Sequence, residues 1–253
     1  VYNAPALERY LAFIQRALDL LFPPQCAACQ RGGSILCPSC LAAIQPLPGP
    51  CCQHCHTRLS AEGICNQCQY RPLSMSGLRA VSAYHGPLRA CIHALKYGGN
   101  RRLAEPLGAL LARAYLAYGL RADIIIPVPL HNERERERGY NQSYLLAQVC
   151  AAQLGLPLNS TAVSRIRPTQ AQVHLTVRER QQNVAGAFRC TPASATEALH
   201  GRRILLIDDV CTTGATLEAC AAPLFAAGAA SIWGLVLARP LTGARGVSSQ
   251  ASN

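Results

Sequence analysis

Apolar runs that alternate with helical patterns from about residue 78 onward, preceded by paired Cys-x2-Cys knuckles, predict an α/β fold. The expected architecture is a parallel sheet with helices on both faces, preceded by a small metal-binding module. Two runs carry the sheet: residues 204–207 (Ile-Leu-Leu-Ile) and the stretch 122–130, which holds Ile124, Ile125 and Ile126. Each reads as a fully buried strand. The 253 residues suffice for one medium domain and a small one, and an apolar content of 50% supports a packed core rather than a disordered chain. No stretch of about 18 uninterrupted apolar residues occurs, so no membrane span is expected. Lys+Arg number 24 against 13 for Asp+Glu, a net charge of +11, and all but one of the basic residues are Arg. Arg favours planar contact with phosphates, so the expected partner is anionic, a phosphorylated small molecule or a nucleic acid.

Residues 1–25 are expected to form an amphipathic helix, with Leu7, Leu11, Ile14, Leu18 and Leu21 at helical spacing. Arg16 and Asp19 interrupt the apolar run, which argues against a signal peptide. Residues 26–70 carry four knuckles: Cys26 with Cys29, Cys37 with Cys40, Cys52 with Cys55, and Cys65 with Cys68. Two thiolates at this spacing reach one tetrahedral ion, and two knuckles complete a four-thiolate zinc site. Two structural zinc ions are therefore expected, in preference to a disulfide framework or a Cys-x2-Cys redox pair. Sequential quartets are the simplest pairing, and a cross-braced pairing of alternate knuckles is the other. Cys51, His54 and His56 are spare potential ligands that read as bystanders. A module this small gains folding energy from the metal. Free thiolates point to a reducing compartment, the cytoplasm.

The remaining pieces follow in order. Residues 71–77 read as a linker. Residues 88–95 and 103–118 read as helices, separated by a Gly-containing break at which Lys96 either touches a phosphate or ends a helix in solvent. The strand at 122–130 ends with Pro127, Val128 and Pro129. Behind it, Arg134, Arg136 and Arg138 alternate with Glu133, Glu135 and Glu137. That run is either a solvated helix face with internal ion pairs or an anion-facing loop. A loop between this strand and a helix over 141–154 lies at the carboxyl edge of a parallel sheet, where ligands bind, so Arg138 with Asn141 and Gln142 suits a pyrophosphate. A third strand is expected over 158–166. The polar stretch that follows, with Gln172 and Arg180, suits a lid over an anion. Order resumes at 184–188, a final strand covers 230–238, and 241–253 has the composition of a frayed tail.

The chain is organised around residues 203–216. The apolar strand ends in Asp208 and Asp209, then Thr212, Thr213, Gly214, Ala215 and Thr216 form a small hydroxyl-rich turn into a helix at 215–227 that Pro223 should kink or shorten. Unpaired N–H groups at a helix N-terminus suit an anion, and Gly214 lets the backbone approach it closely. Two carboxylates cannot hold that anion; they suit vicinal ribose hydroxyls or a magnesium ion. The stretch therefore predicts a sugar-phosphate site.

This order and spacing resemble the signature of the type I phosphoribosyltransferases, which bind phosphoribosyl pyrophosphate. With the knuckles, Leu95-Lys-Tyr97, Pro127-Val-Pro-Leu130, Arg138-Gly-Tyr-Asn-Gln142, and Thr169, Gln172, Arg180 and Asn183, the chain resembles the ComF/GntX-type family of competence-associated phosphoribosyltransferase-like proteins. Cys211 departs from the more usual aliphatic residue and reads as a small buried hydrophobe. The resemblance implies a type I phosphoribosyltransferase-like domain over 78–240, phosphoribosyl pyrophosphate held with Mg²⁺, and a link to natural transformation and the uptake of single-stranded DNA, with other competence proteins as partners. It implies no acceptor for a transferred phosphoribosyl group. A protein that handles single-stranded DNA and retains the ligand site without catalysis is the alternative. Aromatic residues are scarce at 6%, and Tyr140 is the best candidate to stack on a base.

Overall fold

The computed structural model describes residues 23–168, 183–191 and 199–241. Residues 1–22 of the expected N-terminal helix, Gln172 and Arg180 of the expected lid, and all but the first residue of the tail lie outside the described residues. Two five-residue helices stand in the cysteine module, α1 (Pro38–Ala42) and α2 (Asn66–Tyr70). The chain then runs through β1 (Gly77–Ala83), α3 (Gly86–Tyr97), a 3-10 turn (Arg101–Leu103) and α4 (Ala104–Ala117). Next come β2 (Ile124–Pro127), α5 (Asn132–Arg138), α6 (Gln142–Leu154), β3 (Val163–Arg165) and β4 (Phe188–Cys190). It closes with β5 (Arg203–Val210), α7 (Ala215–Ala226) and β6 (Ser231–Arg239).

Four strands form one parallel sheet in the order β1-β6-β5-β2. Side chains alternate across a strand, so β5 feeds two cores. Leu205 and Ile207 pack on one face with Ile92 and Leu95 of α3, Leu111 of α4 and Leu146 of α6. Ile204 and Leu206 pack on the opposite face with Leu217, Cys220 and Leu224 of α7 and with Phe188 of β4. Burial on both faces is why the strand sequence is continuously apolar rather than alternating. α7 runs through Pro223 to Ala226, so the proline does not end it.

The cysteine module covers the free edge of the sheet at β1. The Leu78 amide donates to the His54 carbonyl at 2.8 Å and the Ala80 amide to His56 Nδ1 at 3.2 Å. Burial, with the nearby charges of Arg79 and Arg239, pushes the His56 imidazole down to about 4, which keeps Nδ1 an acceptor. An uncovered edge would invite pairing with another chain. At the other edge, residues 157–159 bond both backbone groups of Ile125, through the Pro157 carbonyl and the Asn159 amide, each at 2.9 Å.

Two expectations are corrected, and one strand is added. The strand expected over 158–166 is only the three residues of β3, paired antiparallel with β4 outside the main sheet. Asn159 Oδ1 accepts from the Thr161 amide at 3.0 Å, a local turn that interrupts the extended run. Residues 71–77 are no free linker, because Ser74 and Met75 bond Glu218 of α7. β1 itself had no sequence signal: Gly77-Leu-Arg-Ala-Val-Ser-Ala83 has too many small residues to read as an apolar run.

Candidate functional site

β5 delivers Asp208 and Asp209 to the carboxyl edge of the sheet, where both are buried. Asp208 Oδ1 accepts from Ser143 Oγ at 2.8 Å and from the Asp209 amide at 2.9 Å. Burial, then the neighbouring charge of Asp209, pushes the Asp208 carboxyl up to about 6, although Lys96 and Ser143 pull the other way. Asp209 Oδ1 lies 2.7 Å from Lys96 Nζ, while its buried Oδ2 has no hydrogen-bond partner among the described residues. Burial alone would lower the Lys96 ammonium, but the Asp209 charge outweighs it and the net shift is upward. Lys96 is thus not a solvated helix end; it belongs to the acidic pair.

The turn after β5 enters α7 through Gly214, whose φ of 89° lies in the left-handed region that glycine adopts without strain. The Ala215 amide donates to Thr213 Oγ1 at 3.4 Å. A small cleft lined by Asp208, Thr212, Thr213, Gly214, Ala215 and Thr216 opens at this helix N-terminus. Cys211 is buried, and burial pushes its thiol up, in keeping with a small hydrophobe.

A cavity of about 730 Å³ lies nearby, lined among others by Lys96, Tyr97, His131, Arg134, Arg138 and Arg165. The Arg-Glu run is the helix α5, closed by Gly139 in the left-handed conformation. One face of it, with Arg134 and Arg138, lines this cavity, whereas Arg136 and Glu135 line a separate open hollow. The run is therefore a helix rather than a loop, and its cavity-lining side carries Glu133 and Glu137 beside Arg134 and Arg138. Arg138 stacks 5.3 Å from the centre of the exposed Tyr97 ring and donates to Gln142 Oε1. Asn141 Oδ1 caps α6 by accepting from the amides of Ser143 at 2.9 Å and Tyr144 at 3.3 Å, and its Nδ2 donates to the Val128 carbonyl at 3.1 Å. Pro127 pairs with Ile207, and the Val128 amide donates to the Ile207 carbonyl at 2.9 Å. These residues brace the loop. Tyr140 is buried, its hydroxyl bonded to the Leu95 carbonyl and its face covered by Arg101 at 4.6 Å, so it cannot stack on a base. Ser143 and Arg165 reached the site without a sequence signal, because each depends on packing between elements distant in the chain.

The cysteines form two sequential quartets, Cys26, Cys29, Cys37 and Cys40, and Cys52, Cys55, Cys65 and Cys68, with the four sulfurs of each within 4.8 Å of one another. A zinc tetrahedron with bonds near 2.3 Å has sulfur–sulfur edges of about 3.8 Å. The Cys29–Cys37 and Cys55–Cys65 sulfurs lie 3.7 and 3.6 Å apart, so both quartets fit zinc. Backbone amides of Cys37 and Cys65 donate to the sulfurs of Cys26 and Cys52, each at 3.4 Å, which favours the thiolate. Cys51, His54 and His56 stand outside both quartets, and the cross-braced pairing is excluded.

A double zinc ribbon domain matches residues 17–69 and a phosphoribosyl transferase domain matches residues 141–250. The DNA utilization protein YhgH of Salmonella typhimurium is 34% identical over 223 residues, covering 85% of this chain and 89% of its own. Competence protein F of Haemophilus influenzae is 33% identical over 211 residues, covering 80% and 90%. Among solved structures, a purine phosphoribosyltransferase from Pyrococcus horikoshii aligns with 55% of this chain and 75% of its own, at 20% identity and a TM-score of 0.33. The chain belongs to the family of competence and DNA-utilization proteins that join a double zinc ribbon to a phosphoribosyltransferase domain.

Proposed function

We propose that this protein binds phosphoribosyl pyrophosphate with Mg²⁺ and acts in the handling of DNA during competence. The observation that carries the reading is the buried acidic pair near the end of β5, with one carboxylate oxygen unsatisfied among the described residues, close to a hydroxyl turn and to a cavity that Lys96, Arg134, Arg138 and Arg165 line together with Glu133 and Glu137. Residues 212–216 hold the 5′-phosphate, and Asp208 and Asp209 take the ribose hydroxyls or metal-bound water. Lys96, Arg134 and Arg138 face the pyrophosphate, while Pro127, Val128, Pro129, Asn141 and Gln142 brace that loop. Gln172 and Arg180 are assigned to a lid. The carboxylate oxygens suit a hard cation, and Mg²⁺ would supply neutralisation of the diphosphate charge. Loss of pyrophosphate develops positive charge at the anomeric carbon, which the two carboxylates would offset. In this reading residues 26–70 form the zinc module and 78–240 the ligand-binding domain.

The names of the relatives, and the excess of basic over acidic side chains in the cavity, also support a second ligand, DNA, for which a single strand is the probe. One calorimetric series tests both. Phosphoribosyl pyrophosphate with Mg²⁺ binds the wild type, and Asp208→Asn with Asp209→Asn weakens it by about 10- to 100-fold, the value of lost charged hydrogen bonds. Affinity rises between about pH 5 and 7.5, because burial and the Asp209 charge push Asp208 up to about 6 and the ionised carboxylate is the stronger acceptor from hydroxyls and the better partner for a cation. Equal affinity in wild type and double variant overturns the ligand assignment. Binding of a mixed-sequence single strand weakens steeply with salt; a flat salt response removes the second reading.

A further inference from the structure

The second zinc quartet and the phosphate turn are joined by a buried arginine. Arg239, at the end of β6, donates Nη1 to the carbonyl of Cys55, a member of that quartet, at 2.7 Å. Its Nη2 donates to the Thr212 carbonyl at 2.8 Å, and Nη1 also reaches Cys211 Sγ at 3.6 Å. Arg239 is 4% exposed and makes no ion pair with a carboxylate among the described residues. Four thiolates around Zn²⁺ are formally a dianion, which gives this guanidinium its counter-charge. On α2, between Cys65 and Cys68, Gln67 Nε2 donates to the Thr213 carbonyl at 3.4 Å. Just beyond α2, the Ser74 and Met75 amides donate to Glu218 in the first turn of α7, at 3.0 and 3.3 Å. The first quartet makes no such contact among the described residues: Cys26 and Cys37 pack in the core on the opposite face of the sheet, with Leu88, Cys91 and Ile92 of α3.

These bonds set the direction of the turn. In a trans peptide the C=O and the following N–H point in opposite directions, and no cis bond is present among the described residues. Holding the Thr212 carbonyl from behind turns the Thr213 amide away from Arg239, while the peptide whose Thr213 carbonyl meets Gln67 turns its Gly214 amide to the Cys211 sulfur that Arg239 also reaches. We propose that Arg239 is a positioning residue for the phosphate turn and that it, with Gln67, makes the shape of that turn depend on the second zinc site. This rests on the reading of residues 212–216 as the phosphate site. By linkage the dependence is reciprocal: ligand on the turn strengthens retention of the second zinc.

Hydrogen exchange of the amides at 212–217, measured on the full chain, tests the coupling without a ligand. Cys65→Ser and Arg239→Gln each speed exchange there by about tenfold or more, Cys40→Ser leaves it unchanged, and Arg239→Gln keeps both zinc ions by metal analysis. Arg239→Lys, which retains the charge but not the fork, recovers part of the protection. Gln67 is exposed, so Gln67→Ala cannot disrupt the core, and it speeds exchange at Gly214 alone. With phosphoribosyl pyrophosphate and Mg²⁺ present, a chelator extracts one of the two zinc ions more slowly from the wild type, and Arg239→Gln loses that protection. Unchanged exchange in Cys65→Ser and Gln67→Ala, or an equal rise in Cys40→Ser, overturns the proposal. Failure of the wild type to bind the sugar diphosphate overturns the functional reading instead, and the exchange result still decides the coupling.

Discussion

Lys96 and Asp209 form a pair whose two members are both largely removed from water, with side chains 19% and 4% exposed. Breaking such a pair from one side leaves an uncompensated buried charge, which costs more than removing both members. Lys96→Met is expected to destabilise the protein by about 3 kcal/mol in urea unfolding, and Lys96→Met with Asp209→Leu by clearly less. Equal losses in the two variants would show that the pair does not act as a unit. Asp208 adds a pH signature. Its folded value of about 6 lies above the ordinary 3.8, so the folded state keeps a proton that the unfolded state has released. Its contribution to stability is therefore complete below about pH 4 and declines as pH rises through 6. Lys96 was visible in the sequence beside two glycines, but its partner was not, because residues 96 and 209 meet only through the sheet.

At the level of elements, the close contact of α4 with α6 is set by one missing side chain. A Cβ on Gly108 would lie 2.6 Å from Val149 Cβ and 3.0 Å from the Leu146 carbonyl oxygen. Both atoms are fixed to the backbone of α6, so the helices must separate. Alanine is the better helix former by about 1 kcal/mol, but overpacking costs about 1–3 kcal/mol. Gly108→Ala is expected to lower stability by about 1 kcal/mol in urea unfolding; a gain would mean that α6 shifts freely. β5, α7 and β6 were legible because apolar runs and a hydroxyl turn mark them locally. β1 was not, since its seven residues gain their strand character from Trp233, Leu217 and the zinc module packed around them.

Across the whole molecule, the zinc module does more than fold itself. It lies along β1, and its His54 and His56 satisfy amides that would otherwise form an open sheet edge. Removal of zinc by a chelator is expected to cost at least several kcal/mol and to lower Tm by about 10 °C or more. Light scattering should show association of the stripped protein through the exposed edge. A stripped protein that stays monomeric with an unchanged Tm would show that the sheet does not need its cover. No helix among the described residues is long and apolar enough to cross a membrane.

The sequence by itself determined the four Cys-x2-Cys knuckles, the buried central strand, and the acidic pair followed by a hydroxyl turn. Each is written in a few consecutive residues whose chemistry needs only local geometry: ligand spacing, side-chain alternation, a helix start. The tertiary structure alone decided which knuckles share a quartet, that Lys96 pairs with Asp209, that Ser143 bonds Asp208, that Tyr140 is buried, and that Arg239 ties the second quartet to the turn after β5. Those contacts join residues far apart in the chain, and no local pattern of hydrophobicity or spacing encodes which distant group a buried polar side chain will meet.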